Sequence, residues 1–136
     1  GFAVGQKVLV DAVKAVKSPY NVNSLSQRTG ALVLQHPQAM KEALQIILAS
    51  RDDLLTGVKA LAAEFPDRFE LLESATNFAT LSMKDGEALF QYLGQQGIAN
   101  RYTGGLVRIT CGTPEENRAV LQEMAAYFAA TPAEGE

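Results

Sequence analysis

Leu106-Val107-Arg108-Ile109-Thr110-Cys111-Gly112-Thr113-Pro114-Glu115-Glu116-Asn117 changes its period halfway along, and that change decides the fold. From Leu106 to Cys111 the pattern has period two. Val107, Ile109 and Cys111 fall on one face of a strand, and Leu106, Arg108 and Thr110 on the other. After Gly112 the chemistry is that of a helix start. Thr113 can cap, Pro114 suits the first helical position, and Glu116 can reach back from the third. The spacing predicts a helix from there to about Ala130, with a frayed tail over 131–136.

Working upstream, Gly104-Gly105 is a hairpin signal, so residues 97–103 are expected to pair with 106–111. Asp85 can cap a helix through Leu93, with Ala88, Leu89 and Leu93 inward and Gly94 and Gly97 ending it. Residues 69–73 and 78–83 alternate as strands joined by Ser74-Ala75-Thr76-Asn77. Before them, Met40, Leu44, Ile47, Leu54, Val58, Leu61 and Phe65 keep helical spacing. This predicts one helix of about 28 residues, starting at Pro37 and stopped by Pro66-Asp67, roughly 40 Å long. Arg51 lies on its apolar seam and is expected to snorkel.

Farther upstream, residues 6–17 follow helical spacing through Leu9, Val13 and Val16 until Ser18-Pro19 interrupts. Ser24 and Gln27 have capping-box spacing, which places a second helix from Ser24 to about Gln35 with Leu25, Ala31 and Leu32 inside. Gly1-Phe2-Ala3-Val4-Gly5 resembles a short buried strand without neighbours, as though the sequence were cut there. The order helix, helix, long helix, then β-β-α-β-β-α predicts an α+β fold. It comprises a long helix and a small, mostly antiparallel sheet covered by helices on one face. Residues 1–35 are expected to be a remnant of another domain with a connecting helix, and 36–136 a domain of their own.

Composition bounds the function. The 136 residues are 47% hydrophobic and 20% charged, with formal net charge −3 and a pI near 5.2. A general nucleic-acid binder needs a basic face, which this balance argues against. No apolar run approaches the roughly 20 residues of a membrane span. One cysteine, Cys111, cannot form an internal disulfide and suits a reducing compartment. One histidine, His36, excludes most metal sites, and it reads as a solvent-facing residue at a helix start.

The residues themselves leave two readings of Arg108 open. It is a solvated arginine on an open sheet face, or a planar fork for a carboxylate or phosphate. Arg101, on the adjacent predicted strand, could bring a second guanidinium to the same side. Cys111 is expected to be a buried small hydrophobe. Asp52-Asp53 and Glu115-Glu116 are adjacent on helices, so their side chains diverge by about 100° and make no carboxylate pair. Gly104-Gly105 is too short to cradle a phosphate.

Four segments together resemble one family. The stretch from Leu106 to Asn117 is similar to the signature near the end of histidinol-phosphate aminotransferases. Ser18-Pro19-Tyr20-Asn21-Val22-Asn23-Ser24-Leu25-Ser26-Gln27 resembles their interdomain segment. Ser74-Ala75-Thr76-Asn77-Phe78 resembles the entry to a small-domain strand, and residues 1–5 the strand after the cofactor lysine loop. The resemblance implies the carboxy-terminal part of a fold type I aminotransferase. The whole enzyme would be a cytoplasmic homodimer that uses pyridoxal phosphate to move an amino group from histidinol phosphate to 2-oxoglutarate, giving glutamate. It implies that Arg108, and less closely Arg101, hold the anionic end of the substrate, and that Tyr20 and Asn21 lie near the pocket mouth. The family's cofactor lysine sits in a serine-rich motif upstream of the segment matching residues 1–5. None of Lys7, Lys14, Lys17, Lys41, Lys59 and Lys84 fits that motif. No cofactor is therefore expected on this chain by itself. The other reading is a free-standing binding module that reuses the domain without catalysis.

Overall fold

The computed structural model describes residues 4–18 and 22–131. It divides into two compact units, Gly1–Met40 and Lys41–Glu136. Of the expected first strand, Phe2 and Ala3 lie outside the described residues, and Val4 and Gly5 are in no strand. Pro19, Tyr20, Asn21 and the tail from Pro132 also lie outside them.

In the first unit, α1 (Lys7–Val16) and α2 (Ser24–Leu34) carry no buried residue. The faces expected to be inward, with Leu9, Val13, Val16, Leu25 and Leu32, are exposed. The start of α2 differs from expectation by one residue. Asn23 is the cap, its Oδ1 accepting from the Ser26 amide at 2.8 Å. Ser24 is already helical, and Gln27 donates to the Val22 carbonyl at 2.7 Å instead of closing a box on Ser24. Asparagine and serine are comparable caps, so the pattern alone does not choose between neighbours.

The long helix α3 (Pro37–Glu64) has the expected 28 residues. Its last turns supply Leu54, Val58 and Leu61 to the core, whereas Met40, Leu44 and Ile47 are exposed. Arg51 is half-buried and turns its guanidinium to Asp52 at 2.6 Å, as a snorkelling side chain would. After Pro66, Asp67 takes φ 64°, a left-handed turn that ends the helix.

Strands β1 (Glu70–Leu72), β2 (Phe78–Ser82), β3 (Arg101–Thr103) and β4 (Leu106–Thr110) form one antiparallel sheet in the order β1-β2-β4-β3. β1 and β3 are shorter than the alternation predicts because flanking residues have other partners. Phe69 stacks on Phe128, with ring centroids 5.2 Å apart. Asn100 donates to the Phe90 and Ile98 carbonyls, both at 3.2 Å, and so ties the approach to β3 back to the preceding helix.

That helix, α4 (Gly86–Gln95), and the last one, α5 (Pro114–Ala130), join α3 on one face of the sheet. There Ala79, Leu81, Val107 and Ile109 from the strands meet Leu54, Val58, Leu89, Leu93, Val120, Met124 and Phe128. Thr113 and Glu116 form the expected capping box, with Pro114 in the first turn of α5. Asp85 sits at the N-cap of α4 but makes no capping bond. Its carboxylate accepts from Arg68 at 3.2 Å and from the Tyr127 hydroxyl at 2.8 Å. A nearby guanidinium is a stronger partner than a helix amide, and it outcompetes the cap.

Candidate anion site on the open sheet face

The face opposite the helices carries the less buried half of the two central strands. In β4 the buried Val107 and Ile109 alternate with Leu106, Arg108 and Thr110, as the sequence pattern requires. In β2 the buried Ala79 and Leu81 alternate with Phe78, Thr80 and Ser82. The two-residue turn Gly104-Gly105, with φ of 59° and 81°, fixes the β3–β4 register. Arg101 is thereby the direct cross-strand partner of Arg108, and Thr103 of Leu106. Thr80 is the partner of Arg108 on the other side. Directly opposed residues of an antiparallel pair point to the same face, so both guanidiniums share it.

These residues line a cavity of about 350 Å3 formed by Phe78, Thr80, Arg101, Thr103, Leu106 and Arg108. The lining holds two cationic groups, two hydroxyls and no carboxylate. The Arg108 guanidinium lies over the Phe78 ring, 4.5 Å from its centroid. Arg101 is exposed, and its Nε reaches Thr103 Oγ1 at 3.4 Å. The sequence brings Arg101 and Arg108 together correctly. It does not show Phe78 and Thr80 as lining residues. Alternation puts them on one face, but only the β2–β4 register puts that face beside Arg108. Tyr20 and Asn21 lie outside the described residues.

The remaining polar candidates lie away from this cavity. Cys111 is half-buried rather than buried, with Sγ 3.8 Å from the Ile47 carbonyl. It follows the last paired residue of β4, where the chain leaves the sheet. His36 is exposed at the start of α3. The adjacent acids diverge. Asp52 meets Arg51 while Asp53 accepts from Asn117, and Glu115 meets Arg118 while Glu116 closes the capping box. Its own backbone hydrogen bond and Arg118 hold the Glu115 carboxyl below the usual range. Among the described residues, no cluster of His, Cys, Asp or Glu could hold a metal ion, and no helix is long and apolar enough to cross a membrane.

A second cavity, about 540 Å3, lies against the sheet edge and is lined by Leu55, Lys59, Leu71, Leu72, Glu73, Ser74 and Ala75. Its lysine shares the space with a carboxylate and with no arginine, while the open-face cavity has arginines and no lysine. Neither set of residues fits pyridoxal phosphate, which needs an amine and an anion-binding group together.

The model of the family described as aminotransferase class I and II matches residues 1–124. The chain belongs to this family. Histidinol-phosphate aminotransferase of Ruminiclostridium cellulolyticum is 29% identical to this chain over 130 residues, which is 91% of the chain and 35% of that relative. Histidinol-phosphate aminotransferase 1 of Carboxydothermus hydrogenoformans is 33% identical over 129 residues, with the same shares of 91% and 35%. The chain thus spans about a third of the length of the curated relatives it matches. Among solved structures, a putative aminotransferase from Burkholderia pseudomallei superposes with a TM-score of 0.70 at 22% identity, over 91% of this chain and 38% of that one. The histidinol-phosphate aminotransferase from Clostridium acetobutylicum gives 0.70 at 17%, over 92% and 39%. At such identities these two establish the shared fold.

Proposed function

We propose that this chain is the carboxy-terminal part of a pyridoxal-phosphate-dependent aminotransferase, with residues 36–136 as its small domain. In this reading its open sheet face holds the anionic end of the substrate. The observation that carries the proposal is the direct pairing of Arg101 with Arg108 in a cavity without a carboxylate. Like charges placed directly opposite in a sheet are destabilising, so an anion between them relieves a cost the fold otherwise bears. Arg108 offers a planar fork of N–H donors to a phosphate or carboxylate. Thr80 and Thr103 add hydroxyl donors at the sides of the same cavity.

The relatives bearing the name histidinol-phosphate aminotransferase favour histidinol phosphate as the anion, and the resemblance in sequence adds glutamate as the second, with 2-oxoglutarate as the amino acceptor. When bound, pyridoxal phosphate supplies the electron sink for such an amino transfer. The residues that would hold it belong to a preceding segment in this reading. The same reading makes the whole enzyme a cytoplasmic homodimer, with Tyr20 and Asn21 near the pocket mouth. This chain's own work is to bind the anion and to fix the distance between it and the reacting end of the substrate.

The test is Arg108→Ala in the full-length enzyme. A charge-assisted contact of this kind contributes about 1.5–3 kcal/mol, so kcat/KM for histidinol phosphate should fall at least tenfold. Folding stability should fall by about 1 kcal/mol or less, since only the contact with Phe78 is lost. Arg101→Ala should move kinetics in the same direction but less. Unchanged kinetics for Arg108→Ala with both histidinol phosphate and glutamate would remove the anion site from the open face.

A further inference from the structure

We infer that Phe78 is a positioning residue, whose ring sets the plane of the Arg108 guanidinium so that its donors face the cavity. The inference rests on the anion-site reading above and adds a residue to it.

Phe78 is out of place as a core aromatic. It opens β2 on the open face, while its neighbours Ala79 and Leu81 belong to the apolar core and Phe78 does not. Its ring lies 4.5 Å from the Arg108 guanidinium and lines the same cavity. The backbone beneath it is held at two points. Ser74 Oγ donates to the Phe78 carbonyl at 2.8 Å, and Phe78 pairs in register with Thr110 of β4. The backbone from which the ring projects is therefore a fixed part of the sheet rather than a loose loop.

The kind of contact matters. An aromatic face attracts a guanidinium through its quadrupole and leaves the in-plane N–H donors unused. A carboxylate partner would take two of those donors and cancel the charge. Arg68, in the same unit, shows the alternative. It lies over Phe128, but its donors are also taken by Asp85, by the Phe128 and Thr131 carbonyls and by Thr131 Oγ1, which makes it a structural arginine. Arg108 has no such acceptors among the described residues. Its orientation is set by the ring while its charge stays available. Fixing a long side chain before the anion arrives removes part of the entropy cost of binding.

The experiment uses the full-length enzyme with L-histidinol phosphate and L-glutamate as probes. It compares Phe78→Leu, Phe78→Tyr, Arg108→Ala and the Phe78→Leu/Arg108→Ala double variant. Phe78→Leu should raise KM for the anionic substrate roughly three- to tenfold, the range of a cation–π contact, with kcat within about twofold. Phe78→Tyr, which keeps the ring, should restore KM to within about twofold. In the Arg108→Ala background the leucine substitution should add nothing. If Arg108→Ala itself leaves KM unchanged for both probes, the anion-site reading fails. If Arg108→Ala raises KM but Phe78→Leu does not, the positioning inference alone fails. It also fails if Phe78→Leu acts equally with and without Arg108, because the ring would then touch substrate directly or act through the fold. Phe78→Met, which keeps the bulk without the ring, replaces the leucine variant should that one not fold.

Discussion

Tyr127 donates its hydroxyl to Asp85, which also holds the Arg68 guanidinium, itself only 8% exposed. These three side chains tie the turn after α3, the start of α4 and the end of α5 into one polar knot beneath the core. Burial first, and then the hydrogen bond and negative charge of Asp85, push the Tyr127 phenol up to about 12. The sign follows from comparison with an unfolded tyrosine, which titrates near 10. Below pH 10 both states keep the proton and the contribution to stability is complete. As pH rises from 10 to 12 the unfolded chain loses this proton first, and the contribution is lost. Tyr127→Phe should therefore flatten the fall in unfolding free energy between pH 10 and 12, while lowering stability at neutral pH by about 1 kcal/mol for the lost hydrogen bond. Urea unfolding across that range reads both effects, and an unchanged alkaline slope would show that another group carries it. None of this was legible in the sequence. Asp85 has the position of a helix cap, and the partner that draws it away lies 17 residues upstream. Arg101 and Arg108 were legible, because strand alternation and a two-glycine turn suffice to put them on one face. Phe78 was not, because its meaning depends on the register of β2 against β4, whose paired residues stand 24 or more positions apart in the sequence.

At the scale of elements, the signals that proved sufficient are those that act over one turn. The Pro37 start and Pro66-Asp67 stop bracket a 28-residue helix, and Thr113-Pro114-Glu115-Glu116 opens α5 in the expected way. The strands stop short of their alternating pattern where Phe69 and Asn100 leave the ladder for longer-range partners. The junction from β4 to α5 combines both kinds of information. Asn117 is buried, accepts from the Gly112 amide at 3.0 Å, and donates to the Ser50 carbonyl and hydroxyl at 2.9 and 3.0 Å, anchoring the cap of α5 to α3. Gly112 leaves room for the box beside it, since a Cβ there would stand 2.4 Å from Glu116 Oε2 and 2.9 Å from Glu116 Cβ. Gly112→Ala must displace Glu116 and open the box. The expected cost is about 1–2 kcal/mol, that of a lost helix cap. Thermal unfolding of the variant measures it. If Glu116→Ala has the same effect and the double variant adds nothing, the two residues act through the box. Additive losses would place the cost outside the box, first of all in the contact with the Cβ of residue 116, which alanine keeps.

At the scale of the molecule, every residue of the apolar core among the described residues lies between Leu54 and Phe128, while α1 and α2 bury nothing. Those helices have 10 and 11 residues. That is below the roughly 12–15 at which an isolated helix becomes even marginally stable in water, so packing must supply their stability. Their apolar stripe runs through Val8, Leu9, Val13 and Val16 of α1 and Leu25, Leu32, Val33 and Leu34 of α2, all exposed. Contiguous apolar patches larger than a few hundred Å2 are rare on soluble monomers. Two outcomes follow for the 136-residue chain by itself. A version starting at His36 should unfold cooperatively with a Tm within a few degrees of the whole chain, because the core is intact in it. The whole chain should self-associate through residues 1–35, and the shortened one should not. Light scattering over a concentration series separates the two. If the whole chain is monomeric at concentrations where the shortened version is also monomeric, residues 1–35 have found cover on their own chain. A large loss of Tm on shortening would then locate that cover on the sheet and helices that follow.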